Sequence, residues 1–231
     1  MSERRAAAQP LDVDRVTSTP GLAEVARRRL EGRFPIDAFG ADPHIQDLVA
    51  PVVTGVVRVE IHGAPRLPRA GAALLVSNRG LGLVEPVALG VAVRRAVGRR
   101  LRVVGVPDVP VLGGVARKLG GISYRPDDVA VALRAGHLVA VPLGPTWLRR
   151  VAGEPPRVLL AAALGTPVIP VAVVAGGPFG LPLRPWQIRV GEPFNAPRGA
   201  KRGDSLAAAE LAERARAEVA DLLDLARQHP G

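Results

Sequence analysis

Residues 72–86 read Ala-Ala-Leu-Leu-Val-Ser-Asn-Arg-Gly-Leu-Gly-Leu-Val-Glu-Pro. The first five residues form a short apolar run that ends in turn-forming residues, a pattern typical of a buried β-strand. A second apolar segment, with the length of a helix, begins near Glu85. In α/β proteins the residues that carry chemistry lie where a strand ends and leads into a helix. The polar turn at Ser77-Asn78-Arg79 is therefore the first candidate for a functional site.

Apolar runs of strand length alternate with helical segments on both sides of this turn. The pattern predicts strands at 57–61, 72–76, 101–106, 122–124, 138–141, 168–174 and 187–190, with helices at 20–30, 43–53, 85–97, 109–119, 127–135, 157–164 and 204–228. We expect Asp204 to cap the last helix, and its apolar face to consist of Leu206, Leu211, Val219, Leu222, Leu223 and Leu225. This alternation indicates an α/β fold, a single domain with a mixed, largely parallel sheet flanked by helices. We expect the domain to cover residues 20–231 and residues 1–19 to form a disordered N-terminal tail.

The composition limits the chemistry. The chain has 231 residues, of which 48% are hydrophobic and only 3% aromatic, so its core must consist mainly of aliphatic side chains. Cysteine is absent, which excludes disulfides, thiolate metal ligands and a cysteine nucleophile, and which suits a reducing compartment. The four histidines show no ligand spacing, so we expect no metal site.

The positive charge is concentrated in one segment. The net charge is +10, and residues 51–125 contain 12 basic and 3 acidic residues, a segment charge of +9. All basic residues except Lys118 and Lys201 are arginines. A basic segment of this kind attracts phosphate on nucleic acid, on anionic lipid or on a phosphorylated substrate. The alternative is a general arginine bias without a specific partner.

One apolar segment is long enough to cross a membrane. Residues 158–183 carry no charge and exceed the ~20 residues that a spanning helix needs. Four prolines and four glycines interrupt the segment, and such a helix is unfavourable in lipid. We therefore interpret it as a short helix, a turn and a buried strand at 168–174. Without a signal peptide or a span, the basic segment predicts a cytoplasmic protein bound peripherally to the inner face of the membrane.

Four sequence blocks, in order, resemble the phospholipid/glycerol acyltransferase family, also called the lysophosphatidic acid acyltransferase family. The blocks are Ser77-Asn78-Arg79 with Val84-Glu85-Pro86 (Asn-His-x-x-x-x-Asp in the family), Gly121-Ile122-Ser123-Tyr124-Arg125, Val141-Pro142-Leu143-Gly144-Pro145-Thr146 (Phe-Pro-Glu-Gly-Thr-Arg in the family) and Pro167-Val168-Ile169-Pro170-Val171. Gly191-Glu192-Pro193 also matches the family pattern. The resemblance extends from about Val57 to Phe194 and implies a glycerolipid acyltransferase-like fold.

The resemblance also implies a reaction. In the family, the histidine acts as general base on a glycerol hydroxyl, the aspartate orients it, and the oxygen attacks an acyl thioester. The arginine of the second block and the Glu-Gly pair of the third hold the acceptor phosphate. The implied co-substrate is acyl-CoA or acyl carrier protein, and no further cofactor is implied.

This chain departs from the family at the catalytic positions. Arg79 replaces the histidine, and a guanidinium stays protonated and cannot act as a base near neutral pH. Val84 replaces the aspartate, and Leu143 replaces the glutamate of the third block. Loss of a general base typically costs ~10²–10⁴-fold in rate. The sequence therefore predicts that acyl transfer is lost or much weakened.

Substitute bases are the alternative. Glu85 is one residue from the aspartate position and is the first candidate. His62 and His137 are further candidates, although both are better explained as loop or edge histidines.

The residues suited to anion binding remain. We predict that Arg79, Arg125 and Gly144 bind phosphate, because a guanidinium can donate two hydrogen bonds to one phosphate. The alternative for Arg79 is that it caps the turn or pairs with Glu85. The expected partners are a lysophospholipid or an anionic membrane surface, and acyl carrier protein. A nucleic-acid binder is the remaining alternative, although the +9 segment offers only Tyr124 for base stacking.

Overall fold

The computed structural model describes residues 22–32, 36–78, 84–105, 112–123, 125–143, 159–160, 162–175 and 184–228. The helices are α1 (Leu22–Leu30), α2 (Pro43–Val56), α3 (Val84–Val97), α4 (Leu112–Lys118), α5 (Pro126–Arg134) and α6 (Ser205–Gln228), and residues 159–160 and 162–163 are also helical. The strands are β1 (Val59–His62), β2 (Ala73–Asn78), β3 (Leu101–Val104), β4 (Gly121–Ile122), β5 (Leu138–Leu143), β6 (Val168–Val174) and β7 (Trp186–Val190). The predicted tail, residues 1–19, lies outside the described residues, and the predicted domain bounds stay a prediction.

The described strands form one seven-stranded sheet in the order β1-β7-β6-β2-β5-β3-β4. Neighbouring strands are parallel at every position except one, where β6 pairs antiparallel with β7. The predicted α/β fold with a mixed, largely parallel sheet and flanking helices is therefore confirmed.

Both faces of the sheet are buried, as the nearly continuous apolar strands require. On the first face, Leu74 and Val76 of β2 pack with α5, with the helical residues near 160 and with α6. On the second face, Ala73 and Leu75 of β2 pack with α3, against which α2 lies. Successive residues of β2 thus point to opposite layers, which is the period expected of a strand.

The connections diverge at the centre of the sheet. The chain leaves β2 through α3 on the second face and goes to β3. It leaves the adjacent strand β5 through the helical residues on the first face and goes to β6, in the other direction. Right-handed crossovers require this change of face when the direction of travel reverses. The gap between the ends of β2 and β5 is therefore a topological switch point, where open α/β sheets bind ligands.

Helix α6 confirms one sequence prediction and corrects another. Asp204 caps the helix as predicted, because its Oδ1 accepts hydrogen bonds from the backbone N–H groups of Leu206 and Ala207 at 3.1 and 3.0 Å. The predicted apolar face is partly wrong, since Leu206 and Leu225 are 78% and 46% exposed. The buried face consists instead of five alanines with Leu211 and Val219. Small side chains let the helix backbone approach the sheet closely.

Helix α1 has the charge pattern of a solvated surface helix. Glu24 accepts hydrogen bonds from Arg28 at 2.5 Å and from Arg27 at 2.9 Å. These hydrogen bonds lower the pKa of the Glu24 carboxyl below its ordinary value, because they favour its charged form.

The candidate membrane segment is not a spanning helix. Residues 168–174 of that segment form β6, in the interior of the sheet. Within the ranges described above, every helix is too short or too polar to cross a bilayer.

Candidate functional site

Five strands (β6, β2, β5, β3 and β4) end at the same edge of the sheet, which we call the carboxyl edge. Within it, Ser77 of β2 lies beside Pro142 of β5, and Asn78 lies beside Leu143. Adjacent strands are about 4.8 Å apart. The first and third blocks of the sequence resemblance therefore begin side by side at the switch point, although they lie far apart in the chain.

The predicted site residues occupy this edge to different extents. Val84 and Glu85 are the first two residues of α3, and the Oε2 atom of Glu85 is buried. Arg125 is exposed and immediately precedes α5, beyond the end of β4. Arg79 follows the last residue of β2 and Gly144 follows the last residue of β5, but both lie outside the described residues.

Arg125 lies at some distance from the switch point. Its strand, β4, is separated from β5 by β3. The lateral offset from the end of β5 is therefore two strand spacings, about 10 Å. The structure places the second block on the same edge as the first and third, but not next to them.

Asn78 has a structural role that the sequence did not reveal. Its Nδ2 donates a hydrogen bond to the carbonyl of Val173 at 2.8 Å, and its Oδ1 accepts one from the N–H of Val173 at 2.7 Å. The side-chain amide thus imitates a backbone peptide and extends the pairing of β2 with β6 by one step. Asn78 therefore anchors the end of β2, just before the candidate site. A polar residue at the end of a buried strand was the only available signal.

We expect Asn78→Asp to destabilise the protein by about 2–3 kcal/mol. A carboxylate accepts a hydrogen bond from the Val173 N–H, but it repels the Val173 carbonyl and cannot donate to it, so a half-buried acceptor loses its partner. Urea unfolding followed by circular dichroism measures the change. The matched control is Asn195→Asp at an exposed position, where the loss should stay within about 0.5 kcal/mol. Equal effects of the two substitutions would contradict the anchoring role.

The two candidate replacement histidines lie at the opposite edge. His62 ends β1, which runs antiparallel to β2, and His137 precedes β5. His137 is buried, and its ring packs edge-on against Phe39 with the centroids 6.2 Å apart. Neither histidine is near the carboxyl edge, so neither can serve as a base at the switch point.

Much of the charge in the basic segment is used inside the protein. Arg94 and Arg100 bind the two oxygens of the buried Asp47 carboxylate at 3.0 and 2.8 Å. Arg102 is buried and pairs with Asp37. The partners come from the first fifty residues, so the segment charge of +9 overstates the positive charge at the surface.

The Gly191-Glu192-Pro193 motif also has a structural explanation. A Cβ atom at Gly191 would lie 2.7 Å from Cγ of Pro170 and 3.1 Å from Cδ1 of Leu222, so only glycine fits there. Glu192 pairs with Arg66 at 2.6 Å. Pro170 belongs to the fourth block, and this block therefore packs against the motif, away from the carboxyl edge.

A cavity of about 410 Å³ lies at the amino edge, the edge of the sheet opposite the carboxyl edge. Phe194 and Leu211 line it, and Arg214 stacks 4.4 Å above the Phe194 ring. Phe194 pairs with Val168 at the start of β6. This cavity is separate from the predicted site and contains none of its residues.

The fold and the edge geometry define an α/β protein with a candidate site at a topological switch point. No protein-family model matches the chain. Uncharacterized proteins of Mycobacterium tuberculosis and Mycobacterium bovis are 37% identical over 131 residues, which is 52% of this chain and 37% of each relative. An uncharacterized protein of Mycobacterium leprae is 32% identical over 162 residues, which is 61% of this chain and 44% of the relative. The chain thus spans less than half the length of these curated relatives.

Among solved structures, the chain is similar to the 1-acyl-sn-glycerophosphate (LPA) acyltransferase, PlsC, from Thermotoga maritima. The TM-score is 0.48 at 14% sequence identity, and the similarity covers 77% of this chain and 80% of the other.

Proposed function

We propose that this protein is a divergent relative of the glycerolipid acyltransferases that binds a lysophospholipid or a similar phosphate-bearing lipid. In this proposal, transfer of an acyl group from a thioester to the lipid is lost or much weakened. The observation that carries the proposal is the register of β2 and β5, which brings the first residues of the first and third blocks together at the switch point. Those are the two blocks in which the resemblance implies the base and the phosphate contacts.

The loss of activity rests on proton transfer. A glycerol hydroxyl attacks a thioester efficiently only when a nearby group accepts its proton. Arg79, the residue at the base position, keeps its own proton at neutral pH. Both histidines considered as substitutes lie at the opposite edge of the sheet. The simplest interpretation is a pseudoenzyme that still binds the lipid but has no efficient proton acceptor.

The anion-binding part rests on position and charge. Arg79 follows the last residue of β2, Gly144 follows the last residue of β5, and Arg125 lies beyond the end of β4, so all three belong to segments that leave the carboxyl edge. A phosphate bound at this edge would need guanidinium and backbone N–H donors, which are the groups that phosphate favours. We assign the three residues to phosphate binding on this basis.

An active acyltransferase that uses Glu85 as its base is the second candidate. The observation that favours it is the position of Glu85 in the first turn of α3 at the carboxyl edge, with Oε2 buried. A carboxylate in such a place can accept a proton, as the aspartates and glutamates of many hydrolytic and transfer enzymes do.

One assay separates the two candidates. Purified protein is incubated with labelled acyl-CoA or acyl carrier protein and a panel of lysophospholipids, while lipid that co-purifies is identified by mass spectrometry. We expect background turnover, unchanged by Glu85→Gln, together with bound lipid. The matched control is Glu60→Gln, at an exposed position on β1. Measurable turnover that Glu85→Gln abolishes and Glu60→Gln preserves would establish the active enzyme instead.

A nucleic-acid-binding protein is the remote alternative. Salt-sensitive binding to duplex DNA that exceeds binding to anionic vesicles would favour it. The ion pairs of Arg94, Arg100 and Arg102 within the protein argue against nucleic-acid binding, because these guanidinium groups are not available to the phosphate backbone of a nucleic acid.

The same proposal includes a location and partners. We infer that the protein acts at the cytoplasmic face of the membrane, where it is bound peripherally, and that acyl carrier protein is a possible partner. The support is the net charge of +10, because an anionic leaflet attracts basic proteins.

A further inference from the structure

Two reversed strands bring additional arginines to the carboxyl edge. β1 and β7 run antiparallel to the five strands that end there, so both begin at that edge. Arg58 immediately precedes β1, and Arg184 precedes β7 by two residues. Their chain segments are joined where the backbone N–H of Trp186 donates a hydrogen bond to the carbonyl of Arg58 at 2.8 Å. Two arginines that are far apart in sequence are thus neighbours at one end of the carboxyl edge.

Both arginines are available to a partner. Arg58 and Arg184 are exposed, and neither forms an ion pair with another residue in the described part of the chain. They differ in this respect from Arg94, Arg100 and Arg102, whose guanidinium groups bind the carboxylates of Asp47 and Asp37. Arg184 also lies outside the basic segment, residues 51–125, that the sequence emphasised.

We propose that Arg58 and Arg184 dock the carboxyl edge onto the phosphate headgroups of an anionic bilayer. This inference rests on the proposed function, because it gives the lipid-binding protein its orientation. With this edge against the bilayer, the switch point between β2 and β5 faces the surface from which a lipid would come. Val87, in the first turn of α3 and 39% exposed, adds an apolar side chain to the same edge.

The exposure of the pair favours a bilayer over a small phosphate ligand. An ion pair between exposed groups in water contributes only about 0–1 kcal/mol, which is too little to retain a single phosphate. A bilayer surface offers many phosphates at once, and each arginine near an anionic leaflet contributes about 1 kcal/mol, or about fivefold in binding. Two exposed arginines on an open edge therefore suit an extended surface of negative charge.

Vesicle flotation tests the inference. Full-length protein is floated with vesicles of phosphatidylglycerol mixed with phosphatidylcholine, and with vesicles of phosphatidylcholine alone. We expect Arg58→Gln with Arg184→Gln to weaken binding to the anionic vesicles by about 30-fold. Arg58→Lys with Arg184→Lys should retain most of the binding, because the interaction depends on charge rather than on two hydrogen bonds to one phosphate.

The matched control is Arg69→Gln with Arg198→Gln. Both residues are exposed, and both lie at the amino edge. Arg69 precedes β2, and Arg198 follows Phe194, which pairs with Val168 at the start of β6. We expect this pair to leave binding within about threefold of the unsubstituted protein, since charges beyond the ~10 Å Debye length are screened. Circular dichroism verifies that each variant is folded.

Several results would overturn the inference. Equal losses of vesicle binding in the two glutamine double variants would mean that binding depends on the total charge and not on Arg58 and Arg184. If the unsubstituted protein does not bind anionic vesicles, membrane binding itself is excluded. Competition by glycerol phosphate at constant ionic strength would identify a small-molecule phosphate site instead. The lipid-binding function is tested separately with lysophospholipid below its aggregation concentration, so the function can hold where the docking surface fails.

Discussion

Replacement of Arg99 by methionine is expected to destabilise the protein by about 3–5 kcal/mol. Arg99 is only 2% exposed. Its Nη1 donates hydrogen bonds to the carbonyls of Gly71 at 2.7 Å and Pro68 at 3.3 Å, and its Nη2 donates one to the carbonyl of Gly136 at 2.6 Å. Methionine fills the space of the aliphatic stem but leaves three carbonyls without this donor, and each such loss costs about 1–3 kcal/mol.

The position of Arg99 explains why the whole sheet should respond. Gly71 precedes β2, Gly136 precedes β5, and Arg99 itself precedes β3. One guanidinium thus joins the starts of three strands at the amino edge. Unfolding in urea should therefore remain cooperative but have a lower midpoint.

Arg95→Met is the matched control for Arg99→Met. Arg95 is exposed at the end of α3, and its Nη2 donates a hydrogen bond to the carbonyl of Thr54 at 3.0 Å. Because water can replace this donor, the expected loss is below about 1 kcal/mol. A loss of less than 1 kcal/mol for Arg99→Met as well would show that the carbonyls find other partners and that the arginine does not hold the strands together.

Introduction of a histidine at position 79 together with an aspartate at position 84 is expected to have the largest effect on activity. The double substitution Arg79→His with Val84→Asp re-creates the pair that the family resemblance implies. We expect acyl transfer to lysophospholipid to rise by about 10²–10⁴-fold above the unsubstituted protein, because a positioned general base contributes a factor of this size. Initial rates of thioester consumption, measured with and without acceptor, provide the comparison.

Single and conservative variants separate the causes of that increase. Arg79→His alone should give a smaller gain, since an imidazole without a carboxylate partner has neither its orientation nor its tautomer fixed. Arg79→Gln with Val84→Asn removes the guanidinium without providing a base, and it should stay at background. If the double variant binds lipid normally and shows no gain, the residues at positions 79 and 84 do not limit acyl transfer. Leu143, at the end of β5, would then become the next position to restore.

The elements of the fold could be predicted because their signals are local. The apolar run at 72–76 and the helical segment after Glu85 each specify an element from adjacent residues, and the structure has β2 and α3 there. The predicted apolar face of the last helix failed at Leu206 and Leu225 for a different reason. Hydrophobicity alone favours leucine over alanine, whereas the distance between the helix and the sheet decides which side chains fit.

The candidate site was only partly predictable. The four blocks indicated where the chain turns, and the register of β2 with β5 brings the first and third of them together. The role of Asn78 was not predictable, because its partner Val173 lies on another strand and the sequence does not say which strands are neighbours. The ion pairing of arginines in the basic segment was not predictable either, since their partners, the carboxylates of Asp37 and Asp47, come from a different part of the chain.

The sequence by itself determined the α/β class, the order of the elements and the presence of an arginine rather than a histidine after Asn78, since these depend on adjacent residues and on residue identity. Only the tertiary structure decided which residues share the carboxyl edge. The reversal of β1 and β7 brings Arg58 and Arg184 to that edge and takes His62 away from it. The direction of a strand is set by pairing and packing with distant segments, which no local pattern in the sequence specifies.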